Sequence, residues 1–259
     1  MSENVKKPAA LVADQKLLCG NLSFAGAEAY KRLRANLLLS FPAEQKCRVI
    51  GMTSANRGEG KSITAINLAY TFAETGKKTL LVEADMRLPN QAARLDIAEA
   101  PGLSNLLVNL ATREEVVQHA SVQENLHVIT AGDIPPNPSE LLGSERMKAC
   151  LQELCEIYDY IVLDLPPVNI VSDALALARM VDGFVVVVRQ EFSARQAVIQ
   201  AMKQLEMVDA KILGFVWNYG ADKKGIGRYY RNYSRYYTRY YNRYGKKSEL
   251  KLPTQKKDD

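Results

Sequence analysis

The stretch "CRVIGMTSANRGEGKS" (residues 47–62) joins a short apolar run to a glycine-rich loop. The run at 47–53 predicts a buried strand. After the loop, "GKSITAINLAYTFAETG" predicts a helix that ends near Gly76, at a C-cap position. A glycine loop between a buried strand and a helix is the setting in which backbone N–H groups bind phosphate. We therefore expect a nucleotide to bind at this junction.

Two glycines and two polar side chains suit this loop to a polyphosphate. Gly58 and Gly60 permit backbone conformations and a close approach that a side chain would obstruct. Lys61 can reach the β- and γ-phosphate oxygens, and Ser62 can bind Mg²⁺. The first glycine of the usual pattern is replaced by Ala55, so the motif is a variant, and a plain glycine turn is the alternative. The predicted nucleotide-binding residues are Ala55, Asn56, Arg57, Gly58, Glu59, Gly60, Lys61, Ser62 and Ile63.

Strand-like and helix-like segments alternate along the chain. Most of the predicted strands are continuously apolar, which is typical of parallel strands that are buried on both faces. They lie at 47–53, 78–84, 126–131, 160–165, 183–189 and 211–218. The alternation predicts an α/β fold with a doubly wound, mostly parallel sheet, in which ligands bind at the carboxyl ends of the strands.

The helical patterns and the composition divide the chain into three parts. Further helices are predicted at 27–40, at 137–158 with Pro138 near the start, at 172–181 with Ser172 as N-cap, and at 193–207. We predict a flexible N-terminal arm at 1–25, a nucleotide-binding domain at 26–222 and a disordered Tyr/Arg-rich tail at 223–259.

Acidic residues follow two of the predicted strands. "YIVLDLPP" places Asp164 where it can hold Mg²⁺ through water, although such an aspartate can also cap a turn. "LLVEADMRLP" places Glu83 and Asp85 on one side of the chain if the strand continues through both. One could organise metal-bound water and the other could accept a proton from a hydroxyl. Arg87 is either a phosphate ligand or an ion-pair partner.

The segment "RYYRNYSRYYTRYYNRYG" (228–245) concentrates eight of the thirteen tyrosines. Residues 223–247 carry nine Lys/Arg and no Asp/Glu, so the rest of the chain sums to 5 − 9 = −4. With almost no aliphatic residues the segment cannot bury enough surface to order itself. We interpret its tyrosines as phosphoacceptors. They are Tyr229, Tyr230, Tyr233, Tyr236, Tyr237, Tyr240, Tyr241 and Tyr244.

Other classes of function fit the composition less well. Binding of single-stranded nucleic acid or of an anionic membrane would also suit an Arg/Tyr tail. Because the positive charge is not spread over the folded part, we expect no nucleic-acid partner. No run of about 18 apolar residues and no secretory signal is found, which predicts a cytoplasmic protein without a membrane span.

Taken together, these motifs resemble the bacterial tyrosine kinases of capsule and exopolysaccharide export, in particular the stand-alone cytoplasmic form. The resemblance covers about residues 26–245 and rests on "EAYKRLRANL", "SANRGEGKS", "LLVEADMRLP", "YIVLDLPP", "SDALALARMVDGFVVVVRQ" and the tail. It implies a P-loop NTPase-like fold, ATP and Mg²⁺ as cofactors, and phosphorylation of the tail in trans. It also implies a separate membrane adaptor that holds the kinase at the inner face of the plasma membrane, and a cognate tyrosine phosphatase.

The resemblance assigns roles to further residues. Lys61, Glu83, Asp85 and Asp164 are the implied catalytic residues, with Ser62, Asp164 and Glu83 at the metal and Asn218 near the adenine. Glu28, Lys31 and Arg34 match the helix through which subunits of the family assemble, which implies self-association, with a ring as one form of it. The family usually has aspartate where this chain has Glu83, and arginine where it has Lys31, which lacks the bidentate fork.

Two other classes of function remain open from the sequence. An ATPase switch of the Min/Par type would share the fold and the loop without needing the tyrosines, but such a switch usually has a signature lysine where this chain has Asn56. A binding module for RNA or membranes, with a vestigial loop, is the other alternative. Transfer of labelled phosphate to tyrosine would separate the three.

Overall fold

The computed structural model of the chain describes residues 18–220 and contains one seven-stranded sheet. In space the strands follow the order β3-β4-β2-β5-β1-β6-β7. Every pair is parallel except the short β3–β4 pair. The strands are β1 (Arg48–Ser54), β2 (Thr79–Glu83), β3 (Gln118–His119), β4 (Leu126–Ile129), β5 (Tyr160–Asp164), β6 (Gly183–Arg189) and β7 (Ile212–Asn218). The prediction of a mostly parallel α/β sheet is confirmed.

Helices cover both faces of the sheet. They are α1 (Phe24–Leu38), α2 (Lys61–Ala73), α3 (Gln91–Leu95), α4 (Leu103–Leu107), α5 (Arg113–Val116), α6 (Pro138–Leu142), α7 (Glu145–Cys155), α8 (Asp173–Ala176) and α9 (Arg195–Met207). Alternate residues of the central strands enter two separate cores. Ile50 and Val162 pack with α1 and α2, whereas Val49 and Ile161 pack with α7 and α9. The sheet is therefore doubly wound, as the buried strands predicted.

Two of the predicted helices were wrong in extent. The segment predicted as one helix at 137–158 forms α6 and α7, separated by Gly143 and Ser144. The Ser144 hydroxyl accepts a hydrogen bond from Met147 N (3.2 Å) and so starts a new helix. The helix predicted at 172–181 is only the short α8; Ser172 lies at its N-cap position, but its side chain makes no capping bond.

Some short elements have no counterpart in the predictions. These are β3, the helices α3, α4 and α5, and a 3₁₀ turn at Cys19–Asn21. Elements of two to five residues are too short to show a period, so sequence patterns do not reveal them.

The boundaries at the two ends differ in how far they are described. Ser23 caps α1 through Gly26 N (3.2 Å), so the helix starts three residues before its predicted start and the predicted boundary at residue 25 lies inside it. Residues 1–17 and 221–259, with the eight predicted phosphoacceptor tyrosines, lie outside the described residues. Within the part that is described, no helix is long and apolar enough to cross a membrane.

Candidate nucleotide-binding and catalytic site

The candidate site lies at the carboxyl ends of β2, β5 and β1, which are neighbours in the sheet. Asp164, the last residue of β5, is in register with Met52 on one side and with Glu83 on the other. The glycine loop leaves β1 at the same edge and leads into α2. The strand order thus brings the loop and both acidic segments together, where ligands of such sheets bind.

The backbone of the loop has the conformation that its glycines allow. Gly58 and Gly60 have φ angles of 79° and 92°, in a region that side chains disfavour. Gly60 is the N-cap residue of α2 and packs closely on Asn218, because a Cβ at Gly60 would lie 2.1 Å from Asn218 Nδ2. The first N–H groups of α2 therefore follow a loop that only glycine fits without strain, as a phosphate site requires.

Side chains of the protein itself fix the shape of this loop. Glu59 is buried, and its Oε2 accepts a hydrogen bond from Asn56 N at 2.9 Å while its Oε1 accepts one from Ser193 Oγ. Arg189 Nη1 donates to Gly58 O at 2.8 Å. Glu59 was predicted to bind the nucleotide. Its side chain instead points into the protein interior, where its hydrogen bonds stabilise the conformation of the loop.

Lys61 lies between two carboxylates. Its Nζ is 2.7 Å from Asp85 Oδ2 and 3.5 Å from Asp164 Oδ1, and it is 3.4 Å from Ser62 Oγ. Burial lowers the pKa of Lys61, but the Asp164 and Asp85 carboxylates outweigh it, so the pKa is raised. The lysine is therefore a permanent cation at the N-terminus of α2.

Asp164 is fully buried and has two different oxygens. Its Oδ2 accepts a hydrogen bond from Gln91 Nε2 at 2.6 Å. Among the described residues Oδ1 has no hydrogen-bond partner, and neither has the buried amide oxygen Oε1 of Gln91. Buried oxygens without donors are uncommon, and hard oxygen ligands are what Mg²⁺ and its bound water prefer. The donor set of Asp164 and Ser62 therefore fits a hydrated Mg²⁺.

Glu83 makes contacts unlike those of the other acidic residues. Its carboxylate accepts hydrogen bonds from three backbone N–H groups, namely those of Asn90, Gln91 and Ala131. Burial raises the pKa of Glu83 to about 7, although the N–H groups of Asn90 and Gln91 lower it. The carboxylate thus joins the end of β2 to the start of α3 and to the end of β4.

Glu83 and Asp85 consequently diverge. Their predicted common side depended on a strand that continues through both, but β2 ends at Glu83. Asp85 follows the strand, binds Lys61, and accepts a hydrogen bond from Leu88 N at 3.2 Å. Of the two, Asp85 is the one that the structure brings to Lys61.

Arg87 is an ion-pair partner in the described structure. Its Nε and Nη2 lie 2.8 and 3.0 Å from the two oxygens of the fully buried Asp173, which also accepts a hydrogen bond from Ser139 Oγ. Asp173 raises the pKa of Arg87. The pair ties the loop after β2 to α8 and α6, which is the ion-pair role that the sequence analysis gave as one of two alternatives.

Asn218 lies against the glycine loop. Its Nδ2 donates to Glu59 O at 3.1 Å, and its Oδ1 accepts from Tyr219 N at 2.9 Å. Nearby, the Arg189 guanidinium lies over the rings of Tyr219 (4.3 Å to the centroid) and Phe192 (4.8 Å). Asn218, which was predicted to lie near the adenine, thus contacts the glycine loop and stabilises it.

The three residues of the predicted assembly helix lie on α1. Lys31 Nζ is 3.2 Å from Glu28 Oε1, an i,i+3 pair that is partly exposed. Arg34 instead donates to Thr71 O near the end of α2. Within one chain, Arg34 therefore holds α1 against α2, while the Glu28–Lys31 pair remains at the surface.

Two residues of the site were missed by the sequence analysis. Gln91 and Asp173 bind Asp164 and Arg87 from segments far away along the chain. Neither residue belongs to a motif with a recognisable spacing. In sequence, Asn90-Gln91 and Ser172-Asp173 indicate only the ordinary start of a helix. Only the fold brings them to the site.

Comparison with known proteins assigns the chain to a family. Residues 47–214 match the AAA domain family. The septum site-determining protein MinD of Pyrococcus horikoshii, complexed with Mg-ADP, superposes with a TM-score of 0.58 at 22% identity, over 68% of this chain and 72% of that one. That likeness shows the fold alone, a P-loop NTPase-like sheet.

Similarity to tyrosine kinases is higher. The tyrosine-protein kinase YwqD of Bacillus subtilis is 38% identical over 192 residues, or 74% of this chain and 80% of YwqD. The crystal structure of the chimerical protein CapA2B2 has a TM-score of 0.73 at 33% identity, over 79% of this chain and 89% of that one. The kinase domain of the Escherichia coli tyrosine kinase ETK has a TM-score of 0.73 at 30% identity, over 77% of this chain and 78% of that one. The chain therefore belongs to the AAA domain family and to the bacterial tyrosine-protein kinases.

Proposed function

We propose that this kinase transfers the γ-phosphoryl group of ATP to the tail tyrosines of a second copy of the chain and thereby regulates capsular or exopolysaccharide synthesis and export. One observation carries the proposal: the cation of Lys61 lies between Asp85 and Asp164 at the N-terminus of α2. Phosphoryl transfer needs a positive charge at the phosphates, a metal site and a proton acceptor in one place. These three side chains supply all of them.

The nucleotide binds through the loop and the start of α2. Backbone N–H groups of residues 55–62 surround the phosphates, and Lys61 neutralises the charge that develops on the transferred group. Ser62 and Asp164 would hold Mg²⁺, which would supply positive charge to neutralise the phosphates. Asn218 supports the loop beside the adenine.

Asp85 is the proton acceptor that the geometry favours. Its carboxylate contacts Lys61 Nζ, and the residue lies in the loop that follows β2, where it also accepts a hydrogen bond from Leu88 N. Glu83 is fully buried with both oxygens on backbone N–H groups, so a role in positioning suits it better than the predicted metal or base role. A tyrosine hydroxyl would give its proton to Asp85 during attack on the phosphorus.

The tail tyrosines are the proposed acceptors. Each phosphate adds a charge of roughly −1.5 to −2, so about five or six phosphates would cancel the +9 of residues 223–247. Tail phosphorylation would therefore change a strongly basic segment into a neutral or acidic one. Since such a change weakens contact with an acidic neighbour, it would also reverse self-association.

The proposed partners are those that the family resemblance implies. A separate membrane adaptor would complete the nucleotide site and hold the kinase at the inner face of the plasma membrane. Subunits would assemble through Glu28, Lys31 and Arg34, in a ring if the contacts close. A cognate tyrosine phosphatase would reset the tail. Nucleic acid is not a proposed partner.

A mixing experiment tests transfer in trans. Full-length Lys61→Ala protein, which keeps the tail, is mixed with active protein whose eight tail tyrosines are phenylalanine, together with Mg²⁺-ATP and the adaptor fragment. Mass spectrometry should find phosphotyrosine on the Lys61→Ala chain, and no label on either chain incubated alone. Release of phosphate without label on tyrosine would refute the proposal and favour a Min/Par-type ATPase switch.

A further inference from the structure

We propose that Gln91 is a positioning residue for Mg²⁺, because its side-chain amide orients Asp164. Gln91 is the first residue of α3 and is fully buried. Its Nε2 donates to Asp164 Oδ2 at 2.6 Å and lies 3.4 Å from Ser62 O, so one amide contacts both predicted metal-binding residues. The inference rests on the Mg²⁺-nucleotide site of the proposed function.

The contact with Gln91 makes the two oxygens of Asp164 unequal. Oδ2 is engaged by the amide, whereas Oδ1 lies 3.5 Å from Lys61 Nζ and has no hydrogen-bond partner among residues 18–220. The terminal torsion of an aspartate is broad, so a carboxylate without such a contact can turn. Oδ1 already forms the longer of the two ion pairs of Lys61, and without the amide Asp164 would be free to turn and shorten that pair. Gln91 therefore keeps Asp164 in the orientation that leaves Oδ1 without a hydrogen bond and open to a cation and its water.

The amide oxygen of Gln91 adds a second reason. Oε1 is buried and, within the described part of the chain, has no donor. A buried acceptor without a donor is energetically unfavourable, so such an atom indicates a site for an O–H group. A water bound to the metal would supply that group. The same side chain would then hold Asp164 with its nitrogen and a metal-bound water with its oxygen.

A substitution of the side chain isolates this role. The bond that connects α3 to Glu83 runs from the backbone N of Gln91 at 2.8 Å, and a substituted residue keeps it. Gln91→Met has a similar volume and removes only the amide. Outer-shell partners of metal ligands typically change metal affinity 10–100-fold when they are replaced.

The test measures ADP binding by calorimetry on the full-length protein, with Mg²⁺ and with EDTA. The quantity compared is the gain in ADP affinity that Mg²⁺ produces. We expect this gain to be about 10–100-fold smaller in Gln91→Met than in the wild type, while the ADP affinity in EDTA stays at the wild-type value. Gln204→Met is the matched control, since its amide donates to the Asn169 side chain and not to Asp164 or Ser62. The control should keep the full Mg²⁺ effect.

Gln91→Leu provides a second variant in case Gln91→Met does not fold. Its side chain has no N–H group to donate to Asp164, so we expect the same loss of the Mg²⁺ effect and a smaller rise in Tm when Mg²⁺ is added to ADP. A wild-type Mg²⁺ effect in either variant would overturn the inference. An equal loss with Mg²⁺ and with EDTA would overturn it too, because it would indicate a role in the loop instead.

The two proposals fail in different ways. Wild-type protein that binds ADP more tightly with Mg²⁺ but never labels tyrosine would refute the proposed function and leave the role of Gln91 standing. Wild-type protein that labels its tail, together with an unchanged Mg²⁺ effect in Gln91→Met, would refute only the role of Gln91.

Discussion

At the scale of single residues, neighbouring acidic side chains at one sheet edge have different surroundings. Asp85 contacts the Lys61 ammonium, Asp164 has one oxygen without a hydrogen bond among the described residues, and Glu83 is surrounded by backbone N–H groups. The extra methylene of Glu83 lets its carboxylate reach the start of α3. All three side chains are carboxylic acids, and what differs between them is the set of partners around each.

The buried Glu83 predicts a dependence of stability on pH. Its pKa is raised by burial from an ordinary value of 4.5 to about 7, so between these values the folded protein binds more protons than the unfolded chain. The free energy of unfolding should therefore fall by about 3 kcal/mol as pH rises from 4.5 to 7, and then level off. This amount corresponds to the difference between the two pKa values.

Urea unfolding of wild type and Glu83→Gln between pH 4.5 and 8 checks this dependence. We expect the wild type to lose free energy of unfolding relative to the variant over that range. Glu99→Gln, at an exposed position, controls for loss of a carboxylate. Parallel curves for wild type and Glu83→Gln would contradict the prediction.

At the scale of elements, ties between loops and helices hold the site in shape. The ion pair of Arg87 with Asp173 connects the loop after β2 to α8, and Ser139 adds α6 to the same contact. Glu59 performs the same task for the glycine loop through Ser193, which precedes α9. The chemistry at the strand ends thus depends on helices that do not touch it.

Loss of the arginine should destabilise the protein more than loss of its partner. Arg87→Ala leaves the buried Asp173 charge without its cation, which should cost about 3–5 kcal/mol. Asp173→Asn leaves Arg87, which is partly exposed and can turn to water, so we expect a smaller loss. Arg87→Lys should recover only part of the stability that Arg87→Ala loses, because lysine cannot bind both oxygens of Asp173.

Urea unfolding measures these losses, and calorimetry with ADP distinguishes structure from binding. Variants that remain folded should bind ADP with the wild-type affinity. A large fall in affinity for folded Arg87→Lys would show instead that the arginine binds phosphate.

At the scale of the whole molecule, charge is distributed unequally between residues 223–259 and the rest of the chain. The tail carries +9 and the remainder −4, so copies of the chain can attract each other. We expect phosphorylation to weaken self-association. Light scattering with and without Mg²⁺-ATP should show a lower mass after labelling, whereas a variant with phenylalanine at the eight tail positions should show no change. An unchanged wild-type mass with a labelled tail would contradict this.

Much of the fold and part of the site could be predicted from the sequence. The continuous apolar runs predicted a parallel sheet because both faces of such strands are buried, and six of the seven strands were found near their positions. The loop at Gly58–Ser62 was found because its glycines and lysine are adjacent in the chain. Helix lengths were less predictable, since one serine at 144 was enough to split a helix.

What the sequence alone determined is therefore local: the strand that precedes the loop, the glycines that permit its backbone, and the lysine at the start of α2. Tertiary structure alone decided that Asp85 contacts Lys61, that Glu83 binds the start of α3, that Gln91 reaches Asp164 and that Arg87 pairs with Asp173. The physical reason is that three of these contacts join segments that meet only because β2, β5 and β1 are neighbours in the sheet, whereas the contact of Glu83 depends on how the chain turns back after β2.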